Sequence, residues 1–368
     1  MIYILVFAVT YVCVFLFNRK FSSTRTPLYS HDNGSFVLHT DRIKALCLFL
    51  LCALPLFLLS ALREGIGTDY YYTYTPRFTE ILAGQRTYYE IGFYWFNRIV
   101  GLFTHNPQWI FITTSFIYCL FVFLAFYEHA EDLPFCIVIL LVSGEYFASL
   151  NNLRQAMASA IMLFGYRFIK KKKWIHFAVL TVFASTFHKS MIIFLAVLAI
   201  VFVLKYIPLE KLMIVGVVVV AAALVLINTS NELLVLILPE RLIYYIQNAM
   251  YTERTIGLIR TALNIAILCV LLFTRQKLKE NELDPFIIVQ SLAVVVCLFD
   301  NVLPAAYRIL RIFTFWQLLS IPITVNKYRG TNRLIIKTVF VLALGALCFY
   351  SIVIMGIEEI LPYQWIYG

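Results

Sequence analysis

Long apolar runs separated by short charged clusters occupy the chain from end to end. Because about 20 apolar residues in a helix cross the hydrocarbon core of a bilayer, each run predicts a membrane-spanning helix. The pattern therefore predicts an all-α, polytopic membrane protein with about 12 transmembrane helices. The predicted spans lie near residues 2–17, 45–62, 108–127, 133–150, 154–169, 174–187, 189–204, 212–228, 256–274, 285–303, 309–325 and 334–354.

The stretch 174–204 could form one long helix or two short ones, and the basic clusters on either side decide between them. Lys170 to Lys173 and the segment 275–279 are both strongly basic, which predicts a cytoplasmic position for both. An even number of crossings must then separate them. Since 212–228 and 256–274 supply one crossing each, 174–204 is predicted to be a hairpin with His188 at its tip.

This topology leaves two tyrosine-rich segments on the outer face, near residues 63–107 and 228–255. We call the first of these, residues 63–107, the first outer segment. Glu90, Trp95 and Arg98 indicate that it contains an amphipathic helix lying in the membrane interface, and the second segment has a similar pattern. Arginines concentrate at outer helix ends, and the orientation bias of basic residues does not explain this excess.

Composition rules out a separate soluble domain. The chain is 62% hydrophobic and 14% charged, with a mean hydropathy of +0.84, whereas soluble domains are roughly 45–50% apolar. Residues 1–368 are therefore predicted to form a single transmembrane domain. All 8 cysteines fall within apolar runs and form no CxxC pair, which argues against disulfides and a zinc site.

Motifs of nucleotide and metal chemistry are missing from the sequence. No P-loop, GxGxxG, HExxH, GxSxG or DxD motif stands where its chemistry would need it. We therefore expect no cofactor and no metal, and no reaction that uses a nucleotide or a nucleotide-sugar.

Ionisable residues near helix ends are the candidate chemistry, because charges at membrane depth are costly and rare. Arg154 and Gln155 open a predicted helix, whose N-terminus already favours an anion. Arg308 and Arg311 are three residues apart and share one helix face. Since a guanidinium donates bidentate hydrogen bonds to phosphate, convergence of these arginines would hold a diphosphate.

His188 is the natural general base, because its unperturbed pKa lies near neutrality. The tyrosines of the outer segments would suit sugar rings. Each feature also has a structural interpretation: a terminal arginine can extend to lipid headgroups, the histidine can bond backbone carbonyls, and the tyrosines can form an interfacial belt.

Four sequences in order resemble the EpsG-like branch of the Wzy polysaccharide polymerases. They are LREGIGTDYYYTY after the second span, NNLRQAMASAIML opening the fifth, FHKS at the hairpin tip and YRILRIF near the end. The resemblance covers nearly the whole chain. The matching residues are Arg63, Gly67, Asp69, Asn152, Arg154, Gln155, His188, Ser190, Tyr307, Arg308 and Arg311.

The resemblance implies a metal-independent, inverting glycosyltransferase that joins oligosaccharide units carried on undecaprenyl diphosphate. It also implies a bacterial inner membrane location, a site facing the periplasm or exterior, and a flippase and a chain-length regulator as partners, with no nucleic acid. His188 or Asp69 would be the base, and we favour His188. Lys189 departs from the expected pattern and would either bind diphosphate or lower the pKa of His188.

Two other classes remain open from the sequence. A lipid-linked oligosaccharide flippase or a solute carrier would also be polytopic, but its charges would lie in mid-span. An O-antigen ligase would transfer glycan to a lipid core and would favour a larger late outer loop than this chain has. A membrane acyltransferase is a more distant alternative.

Overall fold

A computed structural model describes residues 2–21, 29–32, 35–38, 40–85, 87–229, 256–279, 281–300, 303 and 305–366. The predicted second outer segment therefore lies almost wholly outside the described residues. The helices, in chain order, are α1 Ile2–Phe21, α2 Thr40–Leu51, α3 Leu54–Ala61, α4 Thr75–Leu82, α5 Ile91–Gly101, α6 Gln108–His129, α7 Leu133–Val142, α8 Glu145–Ser149, α9 Leu153–Lys170, α10 Trp174–Ser185, α11 Ile193–Val203, α12 Leu209–Thr229, α13 Leu258–Leu278, α14 Asp284–Leu298, α15 Ala306–Thr314, α16 Gln317–Asn326 and α17 Gly330–Phe349.

Short irregular helical turns and one strand pair complete the described structure. Turns of π type cover Tyr70–Tyr74 and Tyr350–Ile354, and 3₁₀ turns cover Lys189–Ile192 and Asn281–Leu283. Strands β1 Tyr29–Asp32 and β2 Ser35–Leu38 pair antiparallel, with Tyr29 opposite Leu38. The described structure thus fits the all-α prediction, with this one short strand pair between α1 and α2.

Every predicted apolar range coincides with a helix or with a pair of consecutive helices. Within the described residues, 6 helices are long and apolar enough to cross a membrane, or 7 if the bent pair α2 and α3 is one span. This fits a multi-pass helical membrane protein, but the count of about 12 spans is not confirmed. Part of the difference arises because α7, α10 and α11 are apolar but short, with 10, 12 and 11 residues, and because α9 carries Arg154, Arg167 and Lys170 among its 18 residues.

The contested stretch 174–204 is divided, as predicted, into two short helices. Helix α10 ends at Ser185, α11 begins at Ile193, and the turn between them contains His188. The backbone N–H of His188 bonds the Ala184 carbonyl at 3.1 Å, which closes the last turn of α10. The alternative of one long helix is wrong.

The first outer segment contains the helix that its sequence predicts. Helix α5 buries Phe93, Asn97 and Val100, which follow the helical spacing i, i+4 and i+7. Its other side exposes Trp95 and Ile99, so both of its faces carry apolar groups. Its position in the membrane interface stays a prediction.

Two compact units make up the chain. The first unit comprises Met1–Ile192 and Leu318–Gly368, and the second comprises Ile193–Gln317. In the first unit, α6 packs along α9, and α1 packs against α3 and α7. In the second, α14 packs against α11, α13 and α15. The prediction of a single transmembrane domain stays a prediction.

Three amide side chains bond one another inside the second unit. Gln290 Nε2 donates to Asn264 Oδ1 at 3.0 Å, and Gln317 Nε2 donates to Asn264 Oδ1 and to Gln290 Oε1, each at 3.0 Å. All three residues are buried. Because buried amides in an apolar environment need partners, this triad fixes the register of α13 on α14.

We expect Gln290→Leu to lower the free energy of unfolding by about 1–2 kcal/mol, because Asn264 and Gln317 would each lose a buried partner. Thermal unfolding of the purified protein in detergent micelles measures the change. Leu298→Met, on an exposed part of the same helix, is the control. An unchanged transition temperature for Gln290→Leu would show that the triad is dispensable.

Candidate functional site

Arg63 lies wholly inside the first unit. Its Nη2 donates to the Leu150 carbonyl at 3.0 Å, its Nη1 donates to the Ser60 carbonyl, and the guanidinium lies 5.0 Å from the Phe111 ring centre. Burial lowers the pKa of Arg63 to about 10, so it stays charged at neutral pH. Arg63 thus ties the end of α3 to the turn before α9, and here it presents no surface to a substrate.

The Asn151 side chain joins the same turn to two other segments. Its Oδ1 accepts from the Asp69 N–H at 2.9 Å and from Thr68 Oγ1 at 3.1 Å, and its Nδ2 donates to Glu358 Oε2 at 2.8 Å. Asn152 donates to the same oxygen at 3.4 Å. These bonds place the N-terminus of α9 against the first outer segment and the C-terminal segment.

Arg154 leaves the first turn of α9 and meets Glu90 of the first outer segment. Arg154 Nη1 and Glu90 Oε2 are 2.5 Å apart, and the Glu90 side chain is only 9% exposed. The guanidinium also lies 4.6 Å from the Tyr89 ring centre and contacts the Tyr74 hydroxyl. Arg154 is therefore held by an acidic and aromatic pocket within the protein.

His188 and Lys189 approach the other oxygen of Glu90. His188 Nδ1 lies 3.8 Å from Glu90 Oε1, and the Lys189 backbone N–H donates to Oε1 at 3.3 Å. The His188 side chain is 24% exposed, so it remains accessible. Glu90 therefore bridges the hairpin tip and the start of α9. We call Glu90, Arg154 and His188 the Glu90 cluster.

Opposing effects set the protonation of Glu90. Burial raises its pKa, but the positive charge of Arg154 and the hydrogen bond from Lys189 outweigh burial and hold the pKa below its usual range. The ion pair therefore stabilises the fold at pH values above the ordinary glutamate pKa. This stabilisation is lost as the pH falls through the lowered pKa of Glu90.

A glycine permits the first outer segment to come this close to the hairpin tip. The Gly92 N–H donates to the Thr186 carbonyl at 2.8 Å. A Cβ at Gly92 would clash with both the side chain and the carbonyl oxygen of Thr186. Gly92 thus sets the position of Glu90, two residues earlier.

The remaining predicted residues of the first unit hold the loops together. Asp69 Oδ1 accepts from Thr73 Oγ1 at 2.9 Å, and its backbone bonds Asn151. Gln155 is buried on α9. Asp69 lies in the segment that reaches the hairpin tip, and its carboxylate accepts a hydrogen bond within its own turn.

Tyr307, Arg308 and Arg311 belong to the second unit. Arg311 Nη2 donates to the Tyr307 hydroxyl at 2.5 Å, and the Arg260 and Arg311 guanidiniums each lie 4.6 Å from the Tyr307 ring centre. Arg308 is exposed on the first turn of α15. The expected convergence of Arg308 and Arg311 with Arg154 on a diphosphate stays a prediction.

Sequence reasoning missed two carboxylates, Glu90 and Glu358. Both lie in loops that carry no motif, and both pair with residues of the NNLR sequence from far along the chain. Among the described residues, no group of three or more His, Cys, Asp or Glu side chains could hold a metal ion.

Together, the fold and the cluster define a multi-pass helical membrane protein with a buried carboxylate, an arginine and a histidine brought together at helix ends. A family model for the EpsG family matches residues 46–365. The chain belongs to the EpsG family, a family of Wzy-like polysaccharide polymerases. No curated protein and no solved structure matched the sequence.

We expect Gly92→Ala to destabilise the protein by about 1–3 kcal/mol, because the added methyl group overpacks the contact with Thr186. Gly216→Ala is the matched control, since a Cβ there meets no atom within 4 Å. Because Gly216 lies within α12, Gly216→Ala should stabilise the protein by up to about 1 kcal/mol. Thermal unfolding in detergent distinguishes the two variants. If both substitutions shifted the unfolding temperature equally and in the same direction, the close contact between Gly92 and Thr186 would be contradicted.

Proposed function

We propose that this protein polymerises a bacterial polysaccharide by joining oligosaccharide repeat units carried on undecaprenyl diphosphate, at the outer face of the cytoplasmic membrane. The observation that carries the proposal is the Glu90 cluster, which brings a base and a guanidinium together in a chain of the EpsG family. Periplasmic or exterior substrates would reach this cluster from the outer side.

In the proposed reaction, the acceptor hydroxyl of one lipid-linked unit attacks the anomeric carbon of the growing chain. The bond from that carbon to the diphosphate oxygen breaks, and undecaprenyl diphosphate leaves in one displacement with inversion. His188 accepts the hydroxyl proton at Nε2. Arginines and Lys189 stabilise the charge that develops on the leaving diphosphate.

His188 is the better base of the two that the sequence offers. It is part of the cluster and partly exposed, whereas the Asp69 carboxylate accepts a hydrogen bond from Thr73 in its own turn. Asp69 instead supports the segment that carries Glu90, since its backbone anchors to Asn151.

Deletion of the gene tests the function directly. The surface glycan should then consist of single repeat units, and the unmodified gene should restore long chains on a gel. Complete loss of lipid-core attachment would indicate a ligase, and lipid-linked units retained on the cytoplasmic side would indicate a flippase. His188→Gln should behave as the deletion does while remaining inserted and abundant.

Arg308→Lys should slow polymerisation by roughly a hundredfold to a thousandfold, because lysine keeps the charge but loses the directed, two-pronged donor that a departing diphosphate needs. The rate is measured in membranes with lipid-linked repeat units, at matched protein abundance. Arg329→Lys, at another exposed arginine, is the control. Near-normal polymer from Arg308→Lys would make Arg308 a membrane anchor only.

A further inference from the structure

A carboxylate whose two oxygens face different partners links the proposed base to the rest of the site. Glu90 Oε2 is 2.5 Å from Arg154, which fixes the side chain in place. Its other oxygen, Oε1, is thereby directed at the hairpin tip, where it lies 3.8 Å from His188 Nδ1 and 3.3 Å from the Lys189 nitrogen. The imidazole therefore turns one defined nitrogen toward a buried carboxylate.

We propose that Glu90 is the positioning residue for His188: its carboxylate fixes the imidazole with Nδ1 toward Glu90 and leaves Nε2 to accept the proton of the acceptor hydroxyl. The inference rests on the proposed function. The separation of 3.8 Å exceeds a hydrogen bond, and catalytic hydrogen bonds are often this long before substrate binds. The same carboxylate stabilises the imidazolium that forms as the acceptor oxygen bonds to the anomeric carbon.

Proton and charge both balance in this step. The acceptor hydroxyl loses its proton to Nε2, and the electron pair of the broken carbon–oxygen bond leaves with the diphosphate. The resulting imidazolium donates its Nδ1–H to Glu90 Oε1. It then releases the proton from Nε2 to water, which returns the neutral base.

Several charged groups surround His188, and they act in opposite directions. Glu90, from the first outer segment, favours the protonated imidazole. Arg154, from α9, and Lys189, in the same turn, oppose protonation and offset part of this effect. Tyr74 and Tyr89 contact Arg154 and remain neutral near physiological pH, since burial raises the pKa of each phenol. Removal of the Glu90 charge should therefore make His188 a weaker base.

The decisive measurement reads the pKa of His188 without turnover. Diethyl pyrocarbonate modifies neutral imidazole, and mass spectrometry of peptides follows modification at His188 as a function of pH in the full-length protein. Glu90→Gln should lower the midpoint by about one pH unit, since an adjacent opposite charge typically shifts a pKa by roughly 1–3 units. Glu90→Asp keeps the charge on a shorter side chain, so its His188 midpoint should lie between those of the unaltered protein and Glu90→Gln.

A matched control removes a comparable ion pair elsewhere in the first outer segment. Glu80 pairs with Arg77 at the same 2.5 Å separation. Glu80→Gln should leave the His188 midpoint where it is in the unaltered protein. If Glu90→Gln is poorly inserted, the comparison of Glu90→Asp with Glu80→Gln decides the question.

Polymerisation in membranes supplies the second readout, with undecaprenyl-diphosphate-linked repeat units isolated from cells that lack this gene. Glu90→Gln should lower the maximal rate at least about tenfold and move the acidic limb of the pH profile down with the modification midpoint. An unchanged midpoint in both assays would overturn the proposal and reduce Glu90 to a structural partner of Arg154. Activity retained by His188→Gln would instead remove the proposed base, whatever the modification midpoint.

Discussion

The ion pair between Glu90 and Arg154 joins segments that lie 64 residues apart in the chain, and the remainder of the site is arranged around it. A largely buried pair of this kind costs desolvation of both charges, and removal of one partner typically costs about 3–5 kcal/mol. Such a pair contributes little net stability, but it strongly disfavours arrangements in which the two charges separate. It therefore fixes where the first outer segment meets α9.

This pairing changes what Arg154 can offer to a diphosphate. The sequence presents Arg154 as a helix-terminal cation, whereas in the structure its Nη1 pairs with Glu90 and its guanidinium lies over the Tyr89 ring. Arg63 is more completely buried than Arg154, and its guanidinium bonds backbone carbonyls in the interior. Among the predicted cations of the first unit, Lys189 is the exposed one, so we expect it to carry more of the proposed binding than the sequence alone suggests.

Helix positions follow from the sequence because apolar runs and charged boundaries are local signals, and the division of 174–204 followed from counting crossings. The Glu90 cluster could not be found this way. Glu90 is a single acid in a tyrosine-rich loop, and nothing near it in the sequence indicates Arg154 or His188 as partners. The sequence also does not show that the Arg63 guanidinium bonds the Ser60 and Leu150 carbonyls, because it does not distinguish a cation that meets carbonyls from one that meets solvent.

Two hydrogen bonds join the hairpin tip to the first outer segment. Helix α10, with 12 residues, is about 18 Å long, which is short of the roughly 30 Å hydrocarbon core, so the tip needs its peptide groups satisfied within the protein. The Thr186 carbonyl accepts from Gly92, and the Lys189 N–H donates to Glu90. Moving this segment away as a lid would break both hydrogen bonds. We therefore expect a substrate of the proposed reaction to enter beside the segment, where the His188 side chain is 24% exposed.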